Sequence, residues 1–364
     1  MIRVLIVEDS ATSRLLLRHI LESDPEIQVV GMAANGLEGV RLALALKPDL
    51  ITMDIRMPVM DGFEATRRIM QEQATPIVVI SSSVEDAELM ITFNAIRAGA
   101  LEVIEKPRGG DHGDFQLIRE QLITTVKLMS EVKVIHRYRP SSTAPQPASS
   151  RRPEVWRLPS VARARLHALS APRRRLSLLA VGASTGGPAA LNILLKALPA
   201  DFPLPIVAVQ HMAIGFTAGL VSWLQLECPL PIKQADDGER IRGRCVYFAP
   251  DDTHLEVSSR GVLALSKAPP VSHVRPSATV LFESAARVYG PEAIGVLLTG
   301  MGEDGAKGLK EMHDRGSPTL AQDEATSAVY GMPKVAAELG AVDRVLPIGQ
   351  IGPAIAALVS GGRE

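Results

Sequence analysis

Strand-length apolar runs alternate with helix-length amphipathic runs in two separate stretches of this chain. This alternation constrains the fold more than any other feature. Over the first stretch, apolar runs at 2–7, 28–32, 49–53, 76–80 and 101–104 alternate with helical patterns at 11–23, 36–46, 62–72, 85–98 and about 114–135. Parallel strands need crossover connections, so five such units predict a parallel sheet with helices on both faces. The alternation resumes with strand candidates at 176–183, 205–210, 245–250, 293–300, 317–323 and 344–348. Helical patterns at 188–198, 215–226, 276–289, 304–315, 324–328, 331–340 and about 349–359 intervene. The segment 256–266 carries Ser-Arg-Gly at its centre and reads as a β-hairpin. A second, mostly parallel α/β domain with a local antiparallel addition is expected. The domains are placed at 1–125 and 177–364, with a helix end and a basic tether over 126–176.

The tether shows no apolar period. Residues 136–175 hold ten Arg against the single Glu154, with Pro, Ser and Ala filling PSSTAPQPASSRRP. Such composition cannot bury a core and reads as a solvated linker. Forty flexible residues span about 35 Å, which permits the two domains to dock without dictating it. Residues 155–169 could form a short amphipathic helix. Composition narrows the function as well. The net charge of -1 argues against general nucleic-acid binding, which needs a basic surplus. Two cysteines, Cys228 and Cys245, make no disulfide framework and suit a reducing compartment. No stretch reads as a signal peptide or a membrane span, so a cytoplasmic protein without membrane insertion is expected.

In the first half, polar residues gather where predicted strands end. Glu8 and Asp9 follow the first, Asp54 the third, Ser81 the fourth, and Lys106-Pro107 the fifth. The carboxyl ends of parallel strands converge on one edge, where ligand sites form. Each acid alone reads better as a cap: Glu8 and Asp9 of a helix, Asp54 of the loop before Met57-Pro58. Together they suit a hard divalent cation such as Mg²⁺, with a lysine and a hydroxyl for phosphate oxygens, and hence phosphoryl transfer to a carboxylate. LIVEDS, MDIRMPVMDG, VVISSS and AGALEVIEKP, in that order, resemble the signature of bacterial response-regulator receiver domains with a flavodoxin-like (βα)5 fold. The resemblance implies that Asp54 accepts phosphate and that Glu8, Asp9 and Asp54 hold Mg²⁺. It implies further that Ser81 senses the phosphoryl group and Lys106 pairs with it. Val103 stands where many receivers carry an aromatic switch, so an aromatic-rotamer mechanism is not expected.

The second half opens with LLAVGASTGGPAAL, in which Gly182-x-Ser184-x-Gly186 matches a nucleophile elbow. A helix beginning near Pro188 would aim its amides at that turn. The pattern alone also fits a phosphate loop or a structural turn. A nucleophilic serine needs a base and an acid that orients it. His211 follows the next predicted strand, and Asp304 lies past the strand at 293–300, so both belong to the same sheet edge as Ser184. His254, His273 and His313 are rivals for the base. Glu303 and Asp323 are rivals for the acid. The order Ser, His, Asp differs from that of α/β-hydrolases.

VGASTGGP, VAVQHM, YFAPDDTHLE, HVRPSATVLFES, LLTGMGEDGAKGL and AQDEATSAVYGMPKVA resemble the catalytic domain of chemotaxis protein-glutamate methylesterases over about 177–350. That resemblance implies Ser184 as nucleophile, His211 as general base, Asp304 as orienting acid, and the Thr185 and Met301 backbones near the oxyanion. It implies no cofactor for the esterase chemistry. It implies methyl-accepting chemoreceptors as substrates, deamidation of receptor glutamines as a companion reaction, and a chemotaxis histidine kinase as phosphodonor. Fusion of a phosphoacceptor to a hydrolase suggests control by occlusion. A receiver-adaptor without activity, a DNA-binding regulator and a small-ester hydrolase are the alternative classes.

Overall fold

The computed structural model describes residues 1–81, 86–107, 115–132 and 175–361. The tether and the expected amphipathic stretch at 155–169 fall outside the described residues. The first half contains β1 (Ile2–Val7), α1 (Ala11–Leu21), β2 (Ile27–Ala33), α2 (Gly36–Leu46), β3 (Leu50–Asp54), α3 (Gly62–Glu72), β4 (Ile77–Ser81), α4 (Asp86–Ala98), β5 (Glu102–Glu105) and α5 (Phe115–Ser130). The five strands form one parallel sheet in the order β2-β1-β3-β4-β5. The alternation predicts the parallel sheet, and this is the flavodoxin-like order that the receiver resemblance implies. Side-chain caps start three of the helices: Ser10 for α1, Asn35 for α2 and Asp61 for α3, each accepting an amide of the first turn. Leu50 to Met53 of β3 and Ile77 to Ile80 of β4 are buried without alternation, as central parallel strands require.

The second half contains β6 (Leu178–Ala183), α6 (Gly187–Ala197), β7 (Ile206–Gln210), α7 (Thr217–Glu227), β8 (Ile232–Gln234), β9 (Val246–Phe248), β10 (His254–Ser259), β11 (Val262–Ser266), α8 (Ala278–Tyr289), β12 (Ala293–Leu297), α9 (Ala306–Asp314), β13 (Thr319–Gln322), α10 (Met332–Glu338), β14 (Arg344–Leu346) and α11 (Ile348–Ser360). Seven strands pair in parallel in the order β14-β13-β12-β6-β7-β9-β8. The expected hairpin is present as the separate antiparallel pair β10-β11. Two details depart from the sequence reading. The three-residue edge strand β8 was not anticipated, and the expected helix at 324–328 is a single 3-10 turn, Glu324–Thr326.

The chain runs outward from β6 in both directions, to β7 on one side and to β12 on the other. The carboxyl ends of β6 and β12 therefore frame a switch point, the place where a doubly wound sheet offers a crevice. The two halves also meet. Phe93 of α4 stacks on Trp223 of α7 with ring centroids 5.9 Å apart, worth about 0.5–1.5 kcal/mol beyond burial. That contact joins the apolar cores of both halves into one buried cluster. Beside it Glu227 pairs with Arg97 of α4 at 3.0 Å and with Lys196 of α6. Among the described residues, no helix is long and apolar enough to cross a membrane.

Candidate active site and phosphoacceptor pocket

Register brings the first-half residues together. Val7 of β1 lies opposite Met53, Asp54 opposite Ile80, and Ser81 opposite Glu105. Glu8, Asp54, Ser81 and Lys106 consequently share one edge. The Lys106 ammonium lies 2.8 Å from Glu8 Oε2 and 2.9 Å from Asp54 Oδ2. Glu8 is fully buried and Asp54 nearly so, while Asp9 is exposed. Burial, and to a lesser degree the Asp54 charge, push the Glu8 carboxyl above its usual range against the pull of Lys106. Burial would lower the Lys106 ammonium, but its hydrogen bonds to Glu8 and Asp54 outweigh that and raise it. One oxygen each from Glu8, Asp9 and Asp54 lie within 4.8 Å of one another. Three hard oxygen donors at that spacing fit Mg²⁺. Ser81 is buried at the same edge. Val103 is half-buried against the core.

In the second half, Ala183 pairs with Gln210 and Gly182 with Leu297. Ser184 and His211 thus leave adjacent strands side by side, and the loop after β12 faces them. The Ser184 amide donates to Thr299 O at 3.0 Å, and the His211 amide to Ala183 O at 3.0 Å. Gly186 takes φ +76°, which a side chain would strain, and it makes the turn from Ser184 into α6. Pro188 stands in the first turn of α6.

His211 Nε2 lies 2.9 Å from Asp304 Oδ2. The Asp304 carboxylate is held from below by the start of α8: Ser277 Oγ donates at 2.6 Å, the Ala278 amide at 2.6 Å and the Thr279 amide at 3.3 Å. Burial would raise this carboxyl, but His211 and the hydrogen bonds from Ser277 and Thr279 hold it down at about 2. An anion at a helix N-terminus gains from the helix dipole as well.

The rival residues are engaged elsewhere. His254 is buried, and both ring nitrogens are used: Nδ1 accepts the Ser277 amide at 3.1 Å, and Nε2 faces Pro269 O at 3.1 Å. His313 lies on α9 beside Asp314 and Asp343. His273 is exposed on the loop joining Val271 and Val274. Glu303 points toward Lys307 at 3.7 Å, and Asp323 caps the 3-10 turn through Thr326. Thr185 follows Ser184, and its carbonyl accepts Thr299 Oγ1 at 2.9 Å. Met301 sits exposed on the loop after β12.

Sequence reasoning missed three residues. Ser277 holds Asp304. Gln210 ends β7 and bonds the Ser184 and His211 carbonyls. Glu102 of β5 crosses from the first half, with Oε2 accepting the Gly186 amide at 2.9 Å and Oε1 its own neighbour's amide at Val103. Burial at this junction pushes the Glu102 carboxyl up to about 7 against the pull of both amides. A cleft of about 640 Å³ continues from there between the halves, with Leu101 and Leu128 on one wall and Ala189, Ile193 and Tyr330 on the other. For Ser277 the only sequence signal is its place at the start of the helical run 276–289. Gln210 and Glu102 gave none, because their partners lie on other elements.

The chain matches two family models: CheB methylesterase over residues 179–355 and response regulator receiver domain over residues 4–113. It is 49% identical over 334 residues to protein-glutamate methylesterase/protein-glutamine glutaminase 4 of Myxococcus xanthus, covering 92% of this chain and 90% of that one. It is 45% identical over 361 residues to protein-glutamate methylesterase/protein-glutamine glutaminase of Nitrosospira multiformis, covering 99% and 98%. Among solved structures it is similar to the CheB methylesterase catalytic domain of Thermotoga maritima, at 39% identity and TM-score 0.48, covering 51% of this chain and 98% of that one.

Proposed function

The chain belongs to the CheB methylesterase family, with a response-regulator receiver domain in front, and on that premise we propose that it removes methyl groups from glutamyl methyl esters of methyl-accepting chemoreceptors through a Ser-His-Asp acyl-enzyme. It is a chemotaxis-type hydrolase under phosphorylation control. The observation that carries the mechanism is the His211–Asp304 contact at the carboxyl edge of β7 and β12, beside Ser184. Because Asp304 takes Nε2, Nδ1 is the ring nitrogen left for the serine. His211 accepts the Ser184 proton as Oγ attacks the ester carbonyl. The Thr185 and Met301 amides are the proposed donors to the developing oxyanion. The tetrahedral adduct expels methanol, protonated by His211. Water, deprotonated by His211, then splits the acyl-enzyme into a glutamate carboxylate and free Ser184. A receptor glutamine follows the same path with ammonia leaving. Asp304, held ionised, keeps the imidazole oriented and stabilises its charged form. No step here calls on a cofactor.

Asp54 is the proposed phosphoacceptor, supplied by a chemotaxis histidine kinase. Glu8, Asp9 and Asp54 would hold Mg²⁺, which shields phosphoryl oxygens during transfer. Ser81 and Lys106 would then bind the phosphoryl group. Control is by occlusion: Glu102 sits against the turn after Ser184 while α4 packs on α7 through Phe93 and Trp223, and phosphate favours release of both contacts. A ligand shifts such an equilibrium only by its differential affinity for the two states.

Mass spectrometry of methylated receptor tests this. Wild type with a phosphodonor removes the ester, Ser184→Ala does not, and Asp54→Asn keeps basal turnover but loses stimulation. Ester left intact by stimulated wild type would overturn the activity. Demethylation by Ser184→Ala would overturn the nucleophile.

A further inference from the structure

Resting on the proposed roles of Ser184 and His211, we infer that Gln210 is a positioning residue that fixes the nucleophile and the base relative to each other. It ends β7 and is 4% exposed. Its Nε2 donates to Ser184 O at 2.8 Å and to His211 O at 2.8 Å. The main chains of two catalytic residues on neighbouring strands are therefore tied by one side-chain amide. The Ser184 carbonyl also accepts the Gly187 amide at 2.7 Å, so the turn after the serine is pinned from two directions.

The same amide carries a cost. Its Oε1 is buried and has no hydrogen-bond partner. Leaving such an acceptor unpaired is destabilising, because its lost hydration is not replaced. The space for it is made by Gly187, where a Cβ would lie 1.9 Å from Gln210 Oε1. A methionine would fill a comparable volume without that penalty. For stability alone the glutamine is a poor choice. Its two donated bonds converge on the serine and histidine backbones, and there it serves geometry. The side chain does not reach the reacting atoms, so its effect on turnover runs through the placement of Ser184 Oγ and the His211 ring. Displacement by about 1 Å costs on the order of 100-fold in rate.

The test uses full-length protein with a small-molecule phosphodonor in every arm and methylated receptor as substrate. Gln210→Met should lower kcat by roughly 10–100-fold with KM within about twofold, while its melting temperature equals or exceeds that of wild type. Phosphonylation of Ser184 by a fluorophosphonate, which needs no receptor, should slow in parallel. Gln210→Glu, which keeps the shape but replaces the donors with acceptors, should lose at least as much. A Gln210→Met protein that turns over within twofold of an active wild type overturns the positioning role and leaves the esterase reading intact. So does one that fails to fold, because the amide then serves stability. A wild type that leaves the ester in place, in the same assay, overturns both.

Discussion

At the scale of single residues, the hydrolase site depends on groups that hold other groups. In the proposed triad Asp304 is useful only while ionised and aimed, and Ser277 is one of the groups that hold it so. Its hydroxyl donates to Asp304 Oδ1 and also caps α8 through the Val280 amide at 3.4 Å. Ser277→Ala should destabilise the second half by about 1–2 kcal/mol, read from the urea midpoint at neutral pH. The acid limb carries a sign. A carboxyl at about 2 in the fold against an ordinary 3.8 favours the ionised form, so its stabilisation is present above about 3.8 and is lost as pH falls through about 2. Removing the Ser277 donor moves the folded value upward. Acid unfolding of Ser277→Ala, followed by circular dichroism, should therefore begin at higher pH than in wild type. Coincident acid transitions would mean that Ser277 does not hold the carboxylate. The sequence showed Ser184, His211 and Asp304 because each follows a strand with a recognisable apolar run. It could not rank His254 below His211, since what disqualifies His254 is a buried pair of partners, the Ser277 amide and Pro269 O, brought by other elements.

At the scale of elements, long buried strands were the readable part. β1, β3 and β4 are mostly apolar runs, and their length and flanking helices point to parallel strands, while their order in the sheet rests on the receiver resemblance. β8 was not readable: it holds three residues, Ile232, Lys233 and Gln234, only the first of them buried, and it lies at the sheet edge. A period cannot be seen in three residues. A helix is expected at 324–328, but Asp323 accepts the Thr326 amide and hydroxyl, and the chain turns away after the single 3-10 turn Glu324–Thr326. The converging ends of β1, β3 and β5 make a separate prediction. Lys106 offsets Glu8 and Asp54, so Lys106→Ala leaves three carboxylates facing one another. Millimolar Mg²⁺ should then raise the melting temperature of Lys106→Ala by several degrees more than that of wild type. Equal shifts in a calorimetric scan would argue that Mg²⁺ is not held by this cluster.

At the scale of the whole molecule, one short strand links the two proposed sites. β5 is followed directly by Lys106, which faces Asp54, and begins with Glu102, which reaches the Gly186 amide beside Ser184. A pull on Lys106 by a phosphoryl group therefore acts on the strand that carries the junction contact. Val103, at the position where the receiver resemblance would put an aromatic switch, lies next to the residue that crosses. Glu102 also makes the docking sensitive to pH. Its carboxyl is at about 7 when docked, against an ordinary 4.5 once released. Docking is then favoured by the protonated form. That contribution is complete below about 4.5, declines as pH rises, and is gone once pH passes through about 7. Glu102→Gln cannot titrate, and its carbonyl can still accept the Gly186 amide. Without phosphodonor, the ratio of wild-type to Glu102→Gln turnover should stay near one at the acid end. It should rise roughly tenfold by pH 8, a figure reduced for a group that keeps some contact with solvent. Taking the ratio cancels any pH dependence that both proteins share. A flat ratio across that range, in full-length proteins of equal melting temperature, would show that this carboxyl does not restrain the hydrolase. A ratio that falls with pH would show that Glu102 docks as the anion and that the Gly186 amide outweighs burial.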